Sequence, residues 1–391
     1  MTIGIVLPEA PGYSETFFYS KIKGLISEGH KVILFVNNNS GNFNLCEVVA
    51  AEKVDSKRPI IQVFKLIFIL AKLFIKAPAA MNALNKFEKA DGTSLKNIFE
   101  KIYINAHILP YKLHWLHFGF ATMAVKRENV AKAIGAKMAV SFRGYDISIY
   151  PVKNKGCYNK LWQKVDKVHS ISDDLYQEAL KLGLSEKVAY QKINPAIDSG
   201  KFVNKKQFLK INEPVKLVTV GRLNWKKGIE YAIAALGLLS KRGIDFKYNI
   251  IGTGTEYERL IFAAYQLGIE EKINFLGKKS HEEVVTYLAD SDIYLQPSIQ
   301  EGFCNAVLEA QAMGLLCIVS DAEGLPENVV DGKTGWVVPK RNSEALAKKI
   351  EEVLHEDNVL LANIQNRAVE RVKAQFNISN QIRDFINFYS N

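Results

Sequence analysis

The chain has 391 residues, 48% hydrophobic and 24% charged, with 51 Lys plus Arg against 41 Asp plus Glu. That composition excludes a disordered chain, and the length exceeds one ordinary core, so two domains of roughly 150 to 200 residues each are expected. The net charge of +10 favours anionic partners such as nucleotides, acidic lipid or nucleic acid, without deciding among them.

The opening "MTIGIVLPEA" enters a strand pattern directly, with no basic leader or cleavage site, so no export signal is expected. Short β-branched runs then alternate with longer helical patterns, the signature of parallel sheets covered by helices. In the first part the strands are "IGIVLP", "KVILFV", "AKMAVSF" and "KVHSI". The four cysteines, Cys46, Cys157, Cys304 and Cys317, show no paired metal spacing, which fits a reduced cytoplasmic setting.

Between the early strands lies "KRPIIQVFKLIFILAKLFIKA", Lys57 to Ala77. Lys72 and Lys76 follow Lys65 by 7 and 11 residues, which at about 100° per residue places all three within roughly 40° of one helix face. Lysines break the apolar run well below the ~18 residues of a membrane span, so the segment is not transmembrane. It reads either as a basic helix in the interface of an anionic leaflet or as a core helix whose lysine stripe faces water.

"NPAIDSGKFVNKKQFLKINEPVK", Asn194 to Lys216, has prolines near each end and little periodicity, and is placed as the interdomain linker. A second, more regular series follows: "VKLVTVG", "KYNIIG", "KINFLG", "DIYLQPS" and "LCIVS". A last strand ends after Trp336, and the rest is helical. The expected fold class is α/β, two Rossmann-like doubly wound domains facing a central cleft, with ligands beyond the carboxyl ends of the strands. The divisions are 1–198, 199–365, and helices over 366–391 crossing back to the first domain.

The second series carries the chemistry. After Gly221 come Arg222 and Lys227, two cations at a strand-to-helix turn, where a diphosphate best uses a fork plus a point charge. Lys226 reads as an ordinary surface cation. Gly252 and Gly254 in "IIGTGTEYERL" form a second glycine turn, a weak signal alone. Ser280 and Glu283 around His281 form a capping box. The only Asp-x-Asp, Asp290-Ser291-Asp292, enters its strand at the amino end, away from the ligand edge, so no metal is expected there.

In "SIQEGFCNAVLEAQAMG" a helix starting near Cys304 or Asn305 puts Glu301 on the preceding loop and Glu309 about a turn and a half in. The free N–H groups of the first turn attract phosphate or a sugar hydroxyl, and flanking carboxylates accept from hydroxyls. The alternative is a solvated loop acid and an outward-facing helix acid.

Together these motifs resemble the retaining glycosyltransferases of family 4, with the two-domain GT-B fold. The match runs from "VGRLNWKKG" through "GTGTEYERL" and "FLGKKSHEEVVTYLADSDIYLQPSIQEGFCNAVLEAQAMG" to "SDAEGLPENVVDGKTGWVVP". The first domain matches more loosely, through "YSETFFYSKIKGLISEGHKV", "HFGFATMAV", "SFRGYDIS" and "SISDDL". Its Ser14-Glu15-Thr16-Phe17 string resembles the branch that builds bacterial exopolysaccharides.

The resemblance implies that Arg222 and Lys227 hold the donor diphosphate, Glu309 accepts from the ribose, and Glu301 contacts the donor sugar. Gly221, Gly252, Gly254 and the backbone of Gly302, Phe303, Cys304 and Asn305 complete the cradle. Gly12, His117, Arg143 and Asp146 would lie on the acceptor side, although His117 also reads as a buried structural histidine. Three positions depart from the pattern: Arg143 stands where relatives carry His, Cys304 replaces a small residue or Pro, and Glu323 occupies a usual Gly.

The implied reaction moves a sugar from a nucleotide-diphosphate donor to a hydroxyl with retention, without metal or cofactor. The implied acceptor is a glycan or polyprenyl-diphosphate-linked sugar at the inner face of the cell membrane. A sugar-nucleotide epimerase and a non-catalytic nucleotide-sugar-binding partner are the rival readings. Nucleic acid is not expected, because the aromatics do not interleave with a basic patch.

Overall fold

The computed structural model describes every residue except 13–15, 39–42, 54–58, 204–210, 212 and 391. Ser14 and Glu15 of the exopolysaccharide-like string, Lys57 of the basic segment and much of the linker therefore lie outside the described residues. The chain divides into two units, Met1–Ile193 with Ile382–Asn391, and Asn194–Gln381.

The first unit holds seven parallel strands: β1 (Thr2–Glu9), β2 (Lys31–Asn38), β3 (Glu47–Ala50), β4 (Trp115–Phe118), β5 (Lys137–Phe142), β6 (Lys167–Ser170) and β7 (Ala189–Lys192), in the order β3-β2-β1-β4-β5-β6-β7. The continuous apolar runs of β1 and β2 are buried on both faces, as strands under helices on each side must be. β3, β4 and β7 are absent from the sequence reading. Each has only four residues, and β3 and β7 are half-exposed edge strands. In β4, histidine and tryptophan interrupt the aliphatic pattern.

The second unit holds β8 (Val215–Val220), β9 (Phe246–Ile251), β10 (Ile273–Gly277), β11 (Ile293–Gln296), β12 (Leu316–Ser320) and β13 (Trp336–Val338), all parallel, in the order β10-β9-β8-β11-β12-β13. β13 starts at Trp336 and ends at Val338, so the last strand does end after Trp336 as expected. In both sheets the order reverses once, between β1 and β4 and between β8 and β11. Such a reversal opens a crevice at the carboxyl ends of the two strands that flank it.

Helices Ser343–Leu354, Asn358–Gln375 and Ile378–Ser390 close the chain. The last returns to the first unit, where Phe385, Phe388 and Tyr389 are buried with Ile3, Ile5 and Trp115. Trp115 Nε1 donates to Tyr389 O at 3.0 Å and Lys167 Nζ to Phe388 O at 2.8 Å. The expected capping box is present: Glu283 N–H donates to Ser280 Oγ and Ser280 N–H to Glu283 Oε2.

Helix Pro59–Lys76 covers the described part of the basic segment. Among the large apolar residues of this helix whose burial is described, only Ile69 and Leu73 are buried, so it is not a core helix with lysines alone facing water. Among the described residues no helix is long and apolar enough to cross a membrane.

Candidate active site

The cations follow β8 and the acids follow β11, the two adjacent strands at the reversal of the second sheet. Backbone contacts fix how these loops meet. Ile299 N–H and Gln300 N–H both donate to Lys226 O, at 2.6 and 3.2 Å. Gly228, at φ +58°, lies so close to Pro297 that a Cβ would come within 2.2 Å of its carbonyl oxygen. A side chain there would push the cation turn off the acid loop. On the other flank, Gly221 N–H donates to Ile251 O, and a Cβ on Gly252 would fall 1.8 Å from Gly221 O. Close backbone approach thus accounts for the second glycine turn, and Gly254 packs likewise against Leu223 O.

The result is a direct ion pair: Lys227 Nζ lies 2.5 Å from Glu301 Oε2, the two side chains 15% and 16% exposed. Burial opposes the charge on Lys227, yet Glu301 outweighs it and raises the lysine pKa above its ordinary value. Lys227 stays a cation at any physiological pH. A buried polar chain supports Glu301 from below: Tyr294 OH donates to Gln296 Oε1, Gln296 Nε2 to Ser298 Oγ, and Ser298 Oγ faces Glu301 Oε2 at 3.4 Å. Arg222 is exposed, and among the described residues its guanidinium has no ion pair or hydrogen bond. Burial, then repulsion from Arg222, lowers the pKa of the third cation, Lys226.

The helix beyond the acid loop runs Asn305–Ala312, with Cys304 at its N-cap and no side chain capping it. Cys304 N–H donates to Asn328 Oδ1 at 2.9 Å and Asn328 Nδ2 returns to Cys304 O at 3.1 Å. This pair holds Gly302 to Asn305 in place. Phe303 packs on Phe376, ring centroids 5.6 Å apart, so only its backbone is available to a ligand. Burial pushes the Cys304 thiol up to about 11, which makes it inert at neutral pH. Glu309 is half-buried, its carboxylate has no hydrogen-bond partner among the described residues, and burial raises its pKa to about 7. The partner that its apolar setting requires is not supplied by the described residues.

Sequence reasoning misses several groups here. Asn224 Oδ1 and Gln300 Nε2, on the two loops, are buried polar atoms without a partner among the described residues, a state native proteins avoid unless a ligand completes it. Glu323, read only as a departure, ties two loops together: Glu301 N–H donates to its Oε2 at 2.7 Å, and Lys340 Nζ lies 3.3 Å from its Oε1. Its φ is +34°, a backbone state that suits glycine. Glu323→Gly is therefore expected to keep the fold but lower kcat about tenfold, the worth of one charge-assisted hydrogen bond on Glu301. Glu323→Gln, whose carbonyl still accepts from Glu301 N–H, should retain most activity. Steady-state kinetics on both variants checks this, and unchanged kcat in Glu323→Gly would show that Lys227 alone holds Glu301.

Asp290 and Asp292 sit at the amino end of β11, engaged with Lys216: Asp290 Oδ1 to its Nζ at 2.8 Å and Asp292 Oδ2 to its N–H at 2.9 Å. Among the described residues, no three His, Cys, Asp or Glu side chains group as metal ligands.

In the first unit, Gly12 is exposed shortly after β1. The acceptor-side reading of His117 and Asp146 gives way to a structural one, because they are 0% and 1% exposed. His117 Nδ1 lies 2.5 Å from Tyr389 OH and 3.2 Å from Lys21 Nζ, and its Nε2 lies 2.7 Å from Ser141 Oγ. Burial holds its pKa well below the usual value. Asp146 accepts from Ala121 N–H and Arg143 N–H at 2.9 and 3.0 Å, fixing the turn after β5. Arg143 is half-buried, its guanidinium over the rings of Phe17 and Phe18 and its Nε donating to Gly119 O.

The family profile described as "Glycosyl transferases group 1" matches residues 201–373. The putative colanic acid biosynthesis glycosyltransferase WcaL of Escherichia coli (strain K12) is 28% identical over 396 residues, covering 96% of each chain. The amylovoran biosynthesis glycosyltransferase AmsK of Erwinia amylovora is 31% identical over 241 residues, covering 59% of this chain and 58% of its own. Among solved structures, Anabaena Alr3699/HepE in complex with UDP-glucose superposes with TM-score 0.73 at 15% identity, covering 100% of this chain and 99% of the other. The second unit thus carries a glycosyl transferases group 1 domain, and the chain has the GT-B fold of its solved neighbours.

Proposed function

We propose that the protein is a retaining hexosyltransferase that moves a sugar from a nucleotide-diphosphate donor to a hydroxyl of a glycan or polyprenyl-diphosphate-linked acceptor. Its setting is surface polysaccharide synthesis at the cytoplasmic face of the cell membrane, which segment 57–77 contacts. One observation carries the donor half of this reading. At the reversal of the second sheet, Arg222 and the Lys227–Glu301 pair stand on two loops bonded to each other, and Glu309, whose carboxylate has no partner among the described residues, stands on the helix that follows. Relatives named for colanic acid and amylovoran synthesis, and a structural neighbour holding UDP-glucose, support the pathway and donor class.

The chemistry follows from the charges. Loss of a nucleoside diphosphate builds negative charge on the leaving oxygen, and preorganised cations lower that barrier most. Arg222, without an ion pair or hydrogen bond to its guanidinium among the described residues, is the fork for the diphosphate, and Lys227 is the point charge beside it. Glu301, held through its carboxylate and backbone, faces the sugar near the transferring carbon. Glu309 accepts from the ribose hydroxyls, and Asn224 Oδ1 and Gln300 Nε2 gain partners in the ligand. The departing phosphate takes the acceptor proton, so no separate base and no metal are required. On the acceptor side, Gly12 and Arg143 remain as contacts.

The test is release of free nucleotide from a panel of nucleotide sugars, with and without EDTA, together with NMR of the product anomer. Release insensitive to EDTA with retained configuration is expected. Interconversion of sugars without release would make the protein an epimerase, and inversion or abolition by EDTA would end the retaining, metal-free mechanism.

A further inference from the structure

The first unit carries an apolar surface that the chemistry above does not use. Three helices, Pro59–Lys76, Pro78–Ala90 and Leu95–Asn105, enclose an open groove of about 640 Å³ lined by Ile67, Phe74, Ile75, Met81, Leu95 and Phe99 among others. Beside it, Phe64, Phe68, Phe74 and Ile75 are 69%, 69%, 68% and 80% exposed. Single exposed apolar residues are ordinary, but a contiguous aromatic patch of this kind marks an interaction surface.

The order of residues around helix Pro59–Lys76 says what it meets. At about 100° per residue, Lys65, Lys72 and Lys76 fall within about 20° of one line. The buried Ile69 and Leu73 lie at about 40° to 80° on one side, and the exposed Phe74, Ile67, Phe64, Ile75 and Phe68 sweep about 180° to 300°. The lysines thus stand on the border of the exposed apolar arc, where their stems can lie along it with the ammonium groups at its rim.

The three helices carry seven lysines and two glutamates. Both acids are already engaged, Glu88 with Lys101 at 2.9 Å and Glu100 with Lys126 at 2.6 Å. A second copy of the chain would oppose lysine to lysine across a twofold axis. An anionic lipid leaflet offers what both features want, acyl chains for the aromatics and phosphates for the ammonium groups.

We propose that this three-helix face is a membrane-docking surface that seats in the headgroup boundary of an anionic bilayer, with a lipid chain entering the groove. It deepens the reading that the acceptor is lipid-linked, and rests on that reading only for its biological purpose.

The test is flotation of the full-length protein with phosphatidylglycerol vesicles and with phosphatidylcholine vesicles, beside nucleotide release in vesicle-free buffer. Wild type should float with the anionic vesicles at least tenfold more than with the neutral ones. Phe64→Ser/Phe68→Ser/Ile75→Ser and Lys72→Gln/Lys76→Gln, all at exposed positions, should each lose at least tenfold of that binding while vesicle-free nucleotide release is unchanged. Absence of flotation, flotation that neither variant reduces, or a wild-type dimer that the variants dissolve would overturn the proposal. Flotation without turnover on any nucleotide sugar would instead count against the glycosyl-transfer reading, so the two failures are distinguishable.

Discussion

Lys227→Ala and Arg222→Ala are each expected to lower kcat at least about a hundredfold, the cost of removing one preorganised donor to a developing oxyanion. Their effects on stability should differ. Arg222 is exposed and without a protein partner among the described residues, so its loss should leave the denaturation midpoint unchanged. Lys227 neutralises a largely buried carboxylate, and removing it leaves Glu301 with only the 3.4 Å contact to Ser298 and its backbone ties. Breaking such a pair costs about 1 to 3 kcal/mol, because a desolvated charge loses its partner. Nucleotide-release kinetics with chemical denaturation of both variants separates the roles. Wild-type turnover in both would remove the cations from the mechanism.

Glu309→Gln is expected to make the ligand-free protein more stable and the enzyme worse. Burial raises the Glu309 pKa from 4.5 to about 7, so between those values the folded state holds a proton that the unfolded chain has released. Stability from this source is full below the unfolded pKa and is lost as pH rises through about 7. The neutral amide avoids that loss, so Tm at pH 8 should rise by about 3 °C or more, with the gain vanishing near pH 4.5. Donor binding runs the other way, because an ionised carboxylate accepts from ribose hydroxyls more strongly than a neutral group. Wild-type kcat/KM should fall on the acid side with an apparent pKa near 7, reporting the free enzyme. Glu309→Gln should be at least tenfold lower at pH 8 and lack that limb. An acid limb unchanged in Glu309→Gln would assign it to another group.

The second unit was largely legible because its signals are local. Each of its first five strands is an apolar run bounded by a turn, and the motifs follow those runs directly, so both the strand ends and the chemistry at β8 and β11 could be read from order along the chain. The first unit was less so. β3 and β7 are edge strands paired on one side only, and four residues are too few to carry a period. Arg143, flagged as a missing histidine, is a cation held on Phe17 and Phe18, a contact across more than a hundred residues that no spacing encodes.

Order along the chain is enough to give the alternation of strands and helices, the two-sheet class, and the residue types that stand after β8 and β11, because hydrophobic period and turn chemistry act between near neighbours. Packing is needed to close Lys227 on Glu301, to leave the Glu309 carboxylate without a partner among the described residues, to bring Glu323 onto the Glu301 backbone, and to put His117 in the interior. It also decided that helix Pro59–Lys76 shows its aromatic side outward. Each of these depends on which distant strands lie side by side and on how much water they exclude, and burial of that kind is a property of the packed chain.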